Sequence, residues 1–474
     1  MERPRINDLF ALLVGLALWT TTATNRSLAE DEFHTLHHTR PAELGDFFAV
    51  VRSDNHPPLA FLVYRASTGL FGESHLALRM PAVLGAVGLL LLTLRVARRL
   101  PDARAAALAP WLLVLSSYVL VLLVNARMYV FLALTVLGLL EAALTWLDGK
   151  GSRWWVALWI ALGLHLHYYF LHDLFALAVG LLAVAWMRPD LRRRARGLIA
   201  PAMVGGAAFL PWAALGLAAQ IRSGLPPGGT YGDPWAWCQS LAHLLFLQAS
   251  LGGKLVTLGI ALPGAAAAAV LGLLGLRRLW GADTRPLLVL LVATAIFAPA
   301  WAYGVSLVWS HASYNWHYIA GSCVPLLLLV AAGIGAPGWR TVPALVVLAT
   351  MSVVTGVNLR SAGWEDYRGV VHHVLARAQP GDAIVVKPIW PQDPARSPTG
   401  WDYYLVRESP APETVPERIP IADFRRAAAH DRVWVFVRYR YNEWFDVFEL
   451  LRHDHPHEEV WPIGRAMWVH LLSR

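Results

Sequence analysis

The stretch MPAVLGAVGLLLLTLRVARRLPDAR, residues 80–104, decides the fold. From Met80 to Val96 it is apolar except for Thr93 and Arg95. As a helix this run reaches the ~17 residues that are the lower limit for crossing a hydrocarbon core. Arg95, Arg98, Arg99 and Arg104 then crowd into a short connection before the next apolar run opens at Ala105. An apolar helix ending in clustered arginines is read as a membrane span whose basic end stays in the cytoplasm.

The pattern repeats on both sides of this stretch. Apolar runs fall at about 8–23, 80–96, 105–124, 129–147, 154–169, 171–186, 198–217, 255–276, 287–308, 316–334 and 342–357, about eleven spans in all. Arg3 and Arg5 precede the first, which is expected to stay as an uncleaved anchor. Every second connection is then basic: Arg95 to Arg104, Lys150 and Arg153, Arg188 to Arg196, Arg277 to Arg285, and Arg340. The intervening connections are poor in Lys and Arg, so the N-terminus is expected in the cytoplasm and the C-terminus on the other side.

Composition agrees. Of 474 residues, 56% are hydrophobic and 15% charged, against about 25% charged in soluble domains. The net charge of +8 does not imply nucleic acid, because the basic residues lie in clusters between apolar runs and not along one face. Cys238 and Cys323 are too few for a disulfide framework.

Two outward loops are long. Residues 24–79 are half apolar, with Phe47, Phe48, Val50 and Val51 in one patch, and are expected to form short amphipathic helices in the interface. The second, about 218–254, holds Pro226 to Gly229, Trp235 and Trp237. After Arg360 the composition changes. Helices are expected over 364–379, 421–429 and 442–451, strands over 382–387 and 432–437, and a hairpin over 460–471 turning near Gly464. The expected architecture is an α-helical polytopic membrane protein, residues 1–359, with a small α/β extracytoplasmic domain, residues 360–474.

Chemistry-bearing residues concentrate on the outward side. Asp31-Glu32 follows the first span, where Asp31 is placed either to take a proton from a hydroxyl nucleophile or simply to cap a helix. Asp54-Asn55-His56-Pro57-Pro58-Leu59 presents Asp54 and His56 on a stiff turn. Arg127, in Asn125-Ala126-Arg127-Met128-Tyr129, is too costly to face lipid and must pair, snorkel or serve a site. His165, His167 and Tyr168 end the fifth span, where they suit either a sugar face or an interfacial belt. Asp31, His34 and His38 share a helical face and form one conceivable metal set, and His453, His455 and His457 another; closely spaced His alone is a weak signal.

The order Asp31-Glu32, Asp54-x-His56-Pro57-Pro58-Leu59, Phe71-Gly72, Leu78-Arg79-x-Pro81 resembles the first outer loop of protein O-mannosyltransferases and of the bacterial aminoarabinose transferases of lipid A. The resemblance extends to Trp364-Glu365-Asp366-Tyr367-Arg368-Gly369 and Pro380-Gly381-Asp382. It implies the C-type glycosyltransferase fold and an inverting transfer of sugar from a polyprenyl-phosphate carrier to an acceptor hydroxyl, at the outer face of a bacterial plasma membrane. It implies Asp31 as the catalytic carboxylate with Glu32 beside it. A lipid phosphate is the leaving group, so Arg127, His56, His317 and Tyr318 become candidates for binding it, and Asp54, His167 and Tyr168 for binding substrate. His317-Tyr318 stands where relatives carry Arg-Tyr; His56 matches the O-mannosyltransferases. The implied partners are the lipid-linked sugar, a glycan, lipid or protein acceptor, and the bilayer. No cofactor is expected.

Two other classes fit a polytopic chain. A secondary transporter would show paired halves and helices broken at the midplane, whereas here the polar residues gather at outer helix ends. A non-catalytic scaffold would use the C-terminal domain to hold a partner.

Overall fold

The structure is a computed structural model that describes residues 5–222, 236–245, 254–309, 314–335, 338–360, 365–387, 399–408, 414–438 and 445–474. Trp364, Pro226 to Gly229, Trp235 and the side chain of Cys238 lie outside the described residues.

The apolar helix α1 (Ile6–Asn25) leads into three short helices, α2 (Glu30–Thr39), α3 (Leu44–Arg52) and α4 (Leu59–Phe71). Next come α5 (His75–Ala97), α6 (Ala103–Val114), α7 (Ser117–Leu123), α8 (Tyr129–Leu147), α9 (Trp154–Leu166) and α10 (Phe170–Met187). After α11 (Arg192–Arg196), one long helical path runs through α12 (Ile199–Ala207), α13 (Leu210–Trp212), a π turn and α14 (Ala218–Arg222). The rest of the bundle is α15 (Ala236–Leu245), α16 (Lys254–Arg278), α17 (Arg285–Val292), α18 (Ala298–Val308), α19 (Cys323–Gly333) and α20 (Thr341–Arg360).

Among the described residues, eight helical segments are long and apolar enough to cross a membrane, and α6 with α7, bent by 44°, makes a ninth. The sequence reading over-extended the other two. The expected spans 154–169 and 316–334 are the shorter helices Trp154–Leu166 and Ala320–Gly333. The first loses its last turn, where His167 leaves the helix with an extended backbone, and the second loses its first, where Trp316 to Ile319 form turns. The outward loop is helical, as its apolar patch implied; Phe47 and Val51 of α3 are fully buried.

The basic connections meet at one end of the bundle. Arg98 pairs with Asp8 at 3.1 Å, and Arg99 with Asp148. Arg194 donates to the Leu147 carbonyl at 2.7 Å, Arg188 to that of Ala282 at 2.5 Å and Arg278 to that of Ile334 at 2.9 Å. Five connections distant in sequence are therefore tied together on one face, which is what the charge alternation requires.

The C-terminal domain caps the opposite face. Its elements are α21 (Tyr367–Leu375), β1 (Ala383–Val386), α22 (Gly400–Glu408), β2 (Glu417–Pro420), a 3-10 segment (Ile421–Ala429), β3 (Arg432–Arg438), α23 (Phe445–Asp454), β4 (His457–Ile463) and β5 (Met467–Ser473). The sheet order is β2-β1-β3-β5-β4, with β2, β1 and β3 parallel and β5 antiparallel to both β3 and β4. The sequence reading found the hairpin at Gly464 but missed α22, which opens with Gly400, and β2, which has only four residues and ends in Pro420. Pro380-Gly381-Asp382 is a structural turn: Gly381 has φ +91°, and Asp382 accepts from Gln379 N, Arg432 Nε and Trp434 Nε1 at 3.0, 2.9 and 2.7 Å. One sheet face shares a continuous apolar core with the bundle through Tyr367, Val370 and Trp401; the other is covered by Phe448 and Leu451.

Candidate active site

Leu78-Arg79-x-Pro81 shapes the entry to the site. Arg79 is fully buried and all five of its N–H groups are used. Nε and Nη2 donate to the two oxygens of Glu32 at 2.7 and 2.6 Å. Nη1 reaches the Ala23 and Arg26 carbonyls, and Nη2 also that of Ser27, at 2.8–2.9 Å. This fork fixes the loop between α1 and α2 against α5. Sequence reasoning set Glu32 beside Asp31 as a catalytic carboxylate. The structure instead gives both its oxygens to Arg79, and one of them also to the Ala29 amide at 3.0 Å, so Glu32 holds Asp31 in place. Breaking a buried pair leaves an uncompensated charge, worth about 3–5 kcal/mol. Glu32→Ala is therefore expected to lower stability by roughly that amount, read by thermal unfolding in detergent. An unchanged melting temperature would refute the clamp.

Asp31 occupies the first turn of α2, half-buried. Among the described residues its carboxylate has no hydrogen-bond or ion-pair partner. The C-terminal domain completes its surroundings. Glu365 accepts from the Glu30 amide at 2.6 Å and pairs with Arg438 at 3.1 Å, while Arg438 also pairs with Glu30. Tyr404 OH accepts from the Leu28 amide at 2.6 Å. Asp366 caps α21 through the Gly369 amide at 2.9 Å, and Tyr367 packs edge-on against Phe33 of α2. The 365–369 motif thus seats the domain on α2.

Facing Asp31 is the turn Asn125-Ala126-Arg127. Ala126 has φ +40°, a conformation costly for a residue with a Cβ and often retained at functional sites. Both flanking carbonyls are held by the outward loop: Ala126 O accepts from Thr35 Oγ1 at 3.0 Å and Arg127 O from Tyr64 OH at 2.8 Å. Arg127 is buried. Its Nη2 lies 3.3 Å from His56 Nδ1, and its Nε has no hydrogen-bond partner among the described residues. Asp54 lies 3.3 Å from the same His56 nitrogen and 3.5 Å from His38 Nε2. Burial works against the Asp54 carboxylate, yet His38, His56 and Arg127 around it hold it well below the usual range. Burial also pushes the His56 imidazole down, against the pull of Asp54.

The outer end of α9 closes the other side. His167 is buried beside His56, ring centroids 5.3 Å apart, and beside Tyr318 at 5.0 Å. Its Nδ1 accepts from the Tyr169 amide at 3.0 Å, which leaves the proton of the neutral ring on Nε2. That Nε2 is buried without a partner among the described residues, as is Tyr169 OH. Tyr169 lies 4.5 Å from Tyr318. Burial keeps His317 neutral, pushed down to about 3 despite the charge of Asp31. Asn125 Nδ2 lies 3.2 Å from its Nε2, and Tyr129 stacks on its ring at 4.9 Å. Tyr168 goes elsewhere: its OH donates to Gln220 at 2.6 Å and accepts from Trp212 at 2.9 Å. Gln220 in turn donates to the Val51 and His56 carbonyls at 2.9 and 3.0 Å, so this chain supports the His56 turn.

The structure therefore brings Asp54, His56, Arg127, His167, His317 and Tyr318 into one cluster, with Asp31 near enough for its charge to act on Arg127, His56 and His317. Sequence reasoning missed Asn125, Tyr129, Tyr169 and Gln220. The first three adjoin residues it named and carried a signal; Gln220 lies between apolar neighbours and carried none.

His38 Nδ1 donates to the His34 carbonyl at 2.7 Å, and its Nε2 lies 3.5 Å from Asp54. Among the described residues no group of three or more His, Cys, Asp or Glu is arranged to hold a metal ion. At the C-terminal cluster, His455 Nδ1 lies 3.1 Å from the Leu451 carbonyl and its Nε2 2.7 Å from that of His430.

Burial lowers His34 and His38 to about 4 each. A histidine whose folded-state value lies below the unfolded value of about 6.5 takes up its proton mainly on unfolding, so acid favours the unfolded state. Stability is expected to fall as pH drops from about 6.5 towards 4, by on the order of 1–2 kcal/mol per histidine at pH 5. Melting temperatures at pH 7.5 and pH 5 check this, and His38→Gln should narrow the difference. An equal or higher melting temperature at pH 5 would contradict it.

Residues 55–214 match the family described as dolichyl-phosphate-mannose-protein mannosyltransferase. Curated protein sequences give no match. Among solved structures, ArnT from Cupriavidus metallidurans is similar in its apo state, with TM-score 0.58 and 14% identity over 98% of this chain and 97% of that one. The same protein bound to undecaprenyl phosphate gives TM-score 0.54 and 13% identity over the same shares. The Archaeoglobus fulgidus oligosaccharyltransferase in its apo form gives TM-score 0.52 and 11% identity, over 86% of this chain and 60% of that one. Over residues 55–214, then, the chain matches the dolichyl-phosphate-mannose-protein mannosyltransferases, and along nearly its whole length it has the fold of ArnT from Cupriavidus metallidurans.

Proposed function

We propose that this protein transfers a sugar, with inversion, from a polyprenyl-phosphate carrier to an envelope acceptor hydroxyl, at the membrane face that carries the C-terminal domain. The observation that carries this reading is the set of buried donors without partners among the described residues: Arg127 Nε, His167 Nε2 and Tyr169 OH. They cluster around His56 and Tyr318. Unmet donors in a buried site cost free energy and suit an anion that satisfies them. A phosphate departing from an anomeric carbon is such an anion.

In this reading the acceptor oxygen attacks the anomeric carbon from the side opposite the phosphate. Its proton passes to Asp31 as the new C–O bond forms, and the anomeric C–O bond to phosphate breaks with its electron pair going to the phosphate. Arg127 meets the charge that develops there, with His167 and Tyr169 donating hydrogen bonds and His56 and Asp54 set beside the guanidinium. His317 and Tyr318 complete the donor side. Glu32 and Tyr168 act through the scaffold.

The basic connections support a cytoplasmic N-terminus, and the even alternation supports an extracytoplasmic site of the bacterial plasma-membrane type. The test is transfer of radiolabelled sugar from a synthetic polyprenyl-phosphate donor to an envelope extract by the purified protein. Failure with every polyprenyl-phosphate sugar offered, alongside uptake of a solute into vesicles, would favour the transporter reading.

A further inference from the structure

At the bundle end opposite Asp31, α12 lies tight on α9: a Cβ on Gly205 would stand 2.5 Å from the Ala157 carbonyl. Meanwhile α10 packs against the helical stretch 285–308, where a Cβ on Gly180 would meet that of Ala293 at 2.9 Å. Two helices joined by a short connection are thus drawn to different neighbours, and a cavity of about 470 Å³ opens between them. Ile160 and Leu177 are among its apolar lining, and Leu182 and Ile199 at its rim are 71% and 60% exposed, so it opens sideways towards lipid. The connection from α10 to α12 crosses its end and contributes Arg192 and Arg196 to the lining.

The charge there is unbalanced. Residues 188–196 hold five arginines and one acid. That acid, Asp190, pairs with Arg188 at 2.9 Å, and Arg194 is used on the Leu147 carbonyl. Arg192, whose Nε lies 3.5 Å from the Ala185 carbonyl, and Arg196 have no ion-pair partner among the described residues. Guanidinium groups grip phosphate through paired N–H bonds, and basic pockets between membrane helices take anionic lipid headgroups.

We propose that this cleft binds one anionic phospholipid of the adjoining leaflet, with an acyl chain in the cavity and its phosphate on Arg192 and Arg196. The tail of the sugar donor is a poorer occupant, because its phosphate belongs at Arg127. Along α8 the cavity residue Ala143 lies fourteen residues beyond Tyr129, roughly 20 Å deeper.

The full chain would be reconstituted in phosphatidylethanolamine bilayers holding a minor fraction of phosphatidylglycerol, extracted in mild detergent, and its retained lipids counted by native mass spectrometry. One phosphatidylglycerol per chain is expected, enriched about tenfold or more over its share of the bilayer. Arg192→Gln with Arg196→Gln should return retention to bulk composition, and the paired Lys variants should keep most of the enrichment. Ala202→Phe, which fills the cavity, should release lipid of either headgroup while sugar transfer, a readout of intact folding, persists. No retained lipid, equal retention of phosphatidylethanolamine, or unchanged enrichment in the double Gln variant would each overturn the proposal.

Discussion

Asp31→Asn is expected to lower sugar transfer by about 10³-fold or more, with membrane insertion, melting temperature and donor binding unchanged. The variant keeps the shape of the side chain and removes only its capacity to take a proton. Stability should hold, because among the described residues the Asp31 carboxylate supports no part of the fold, unlike its neighbour Glu32. Donor binding should hold as well, since in the proposed mechanism the phosphate is met by Arg127, His167 and Tyr169. Turnover measured at saturating donor, beside donor affinity from calorimetry, separates these effects. Transfer remaining at a tenth of the wild-type rate or above would rule Asp31 out as the base.

Arg127→Met is expected to reduce turnover by about 10²–10³-fold, the scale of losing one preorganised charge stabiliser. Arg127→Lys should rescue it only in part. The guanidinium places Nη2 against His56 and leaves Nε for substrate, whereas an ammonium is a point donor without that fork. His56→Ala should fall between wild type and Arg127→Met, because it frees the guanidinium without removing it. The fall should appear in turnover and in donor affinity together, since the carrier phosphate is charged before and after transfer. An Arg127→Met enzyme with normal turnover and a lowered melting temperature would make the residue a scaffold element.

Much of this protein was legible in the sequence because lipid imposes one demand repeatedly. Each crossing needs a long apolar helix, and its basic flank marks a side. That was enough to locate the apolar segments, the paired-off basic connections and the loop holding Asp31, Asp54 and His56. It could not say which of two adjacent carboxylates is used. Asp31 and Glu32 differ only in what surrounds them, and Arg79, 47 residues away, is what turns Glu32 into a clamp and leaves Asp31 free of partners among the described residues. Nor could it separate His167 from Tyr168. One backbone amide fixes the His167 tautomer and leaves a bare donor, while Trp212 and Gln220 take up Tyr168. Local sequence determines solvent preference, which depends on near neighbours. Hydrogen-bond partnership depends on groups tens to hundreds of residues apart, so only the tertiary structure decided which polar residues are spent on the fold and which remain for chemistry.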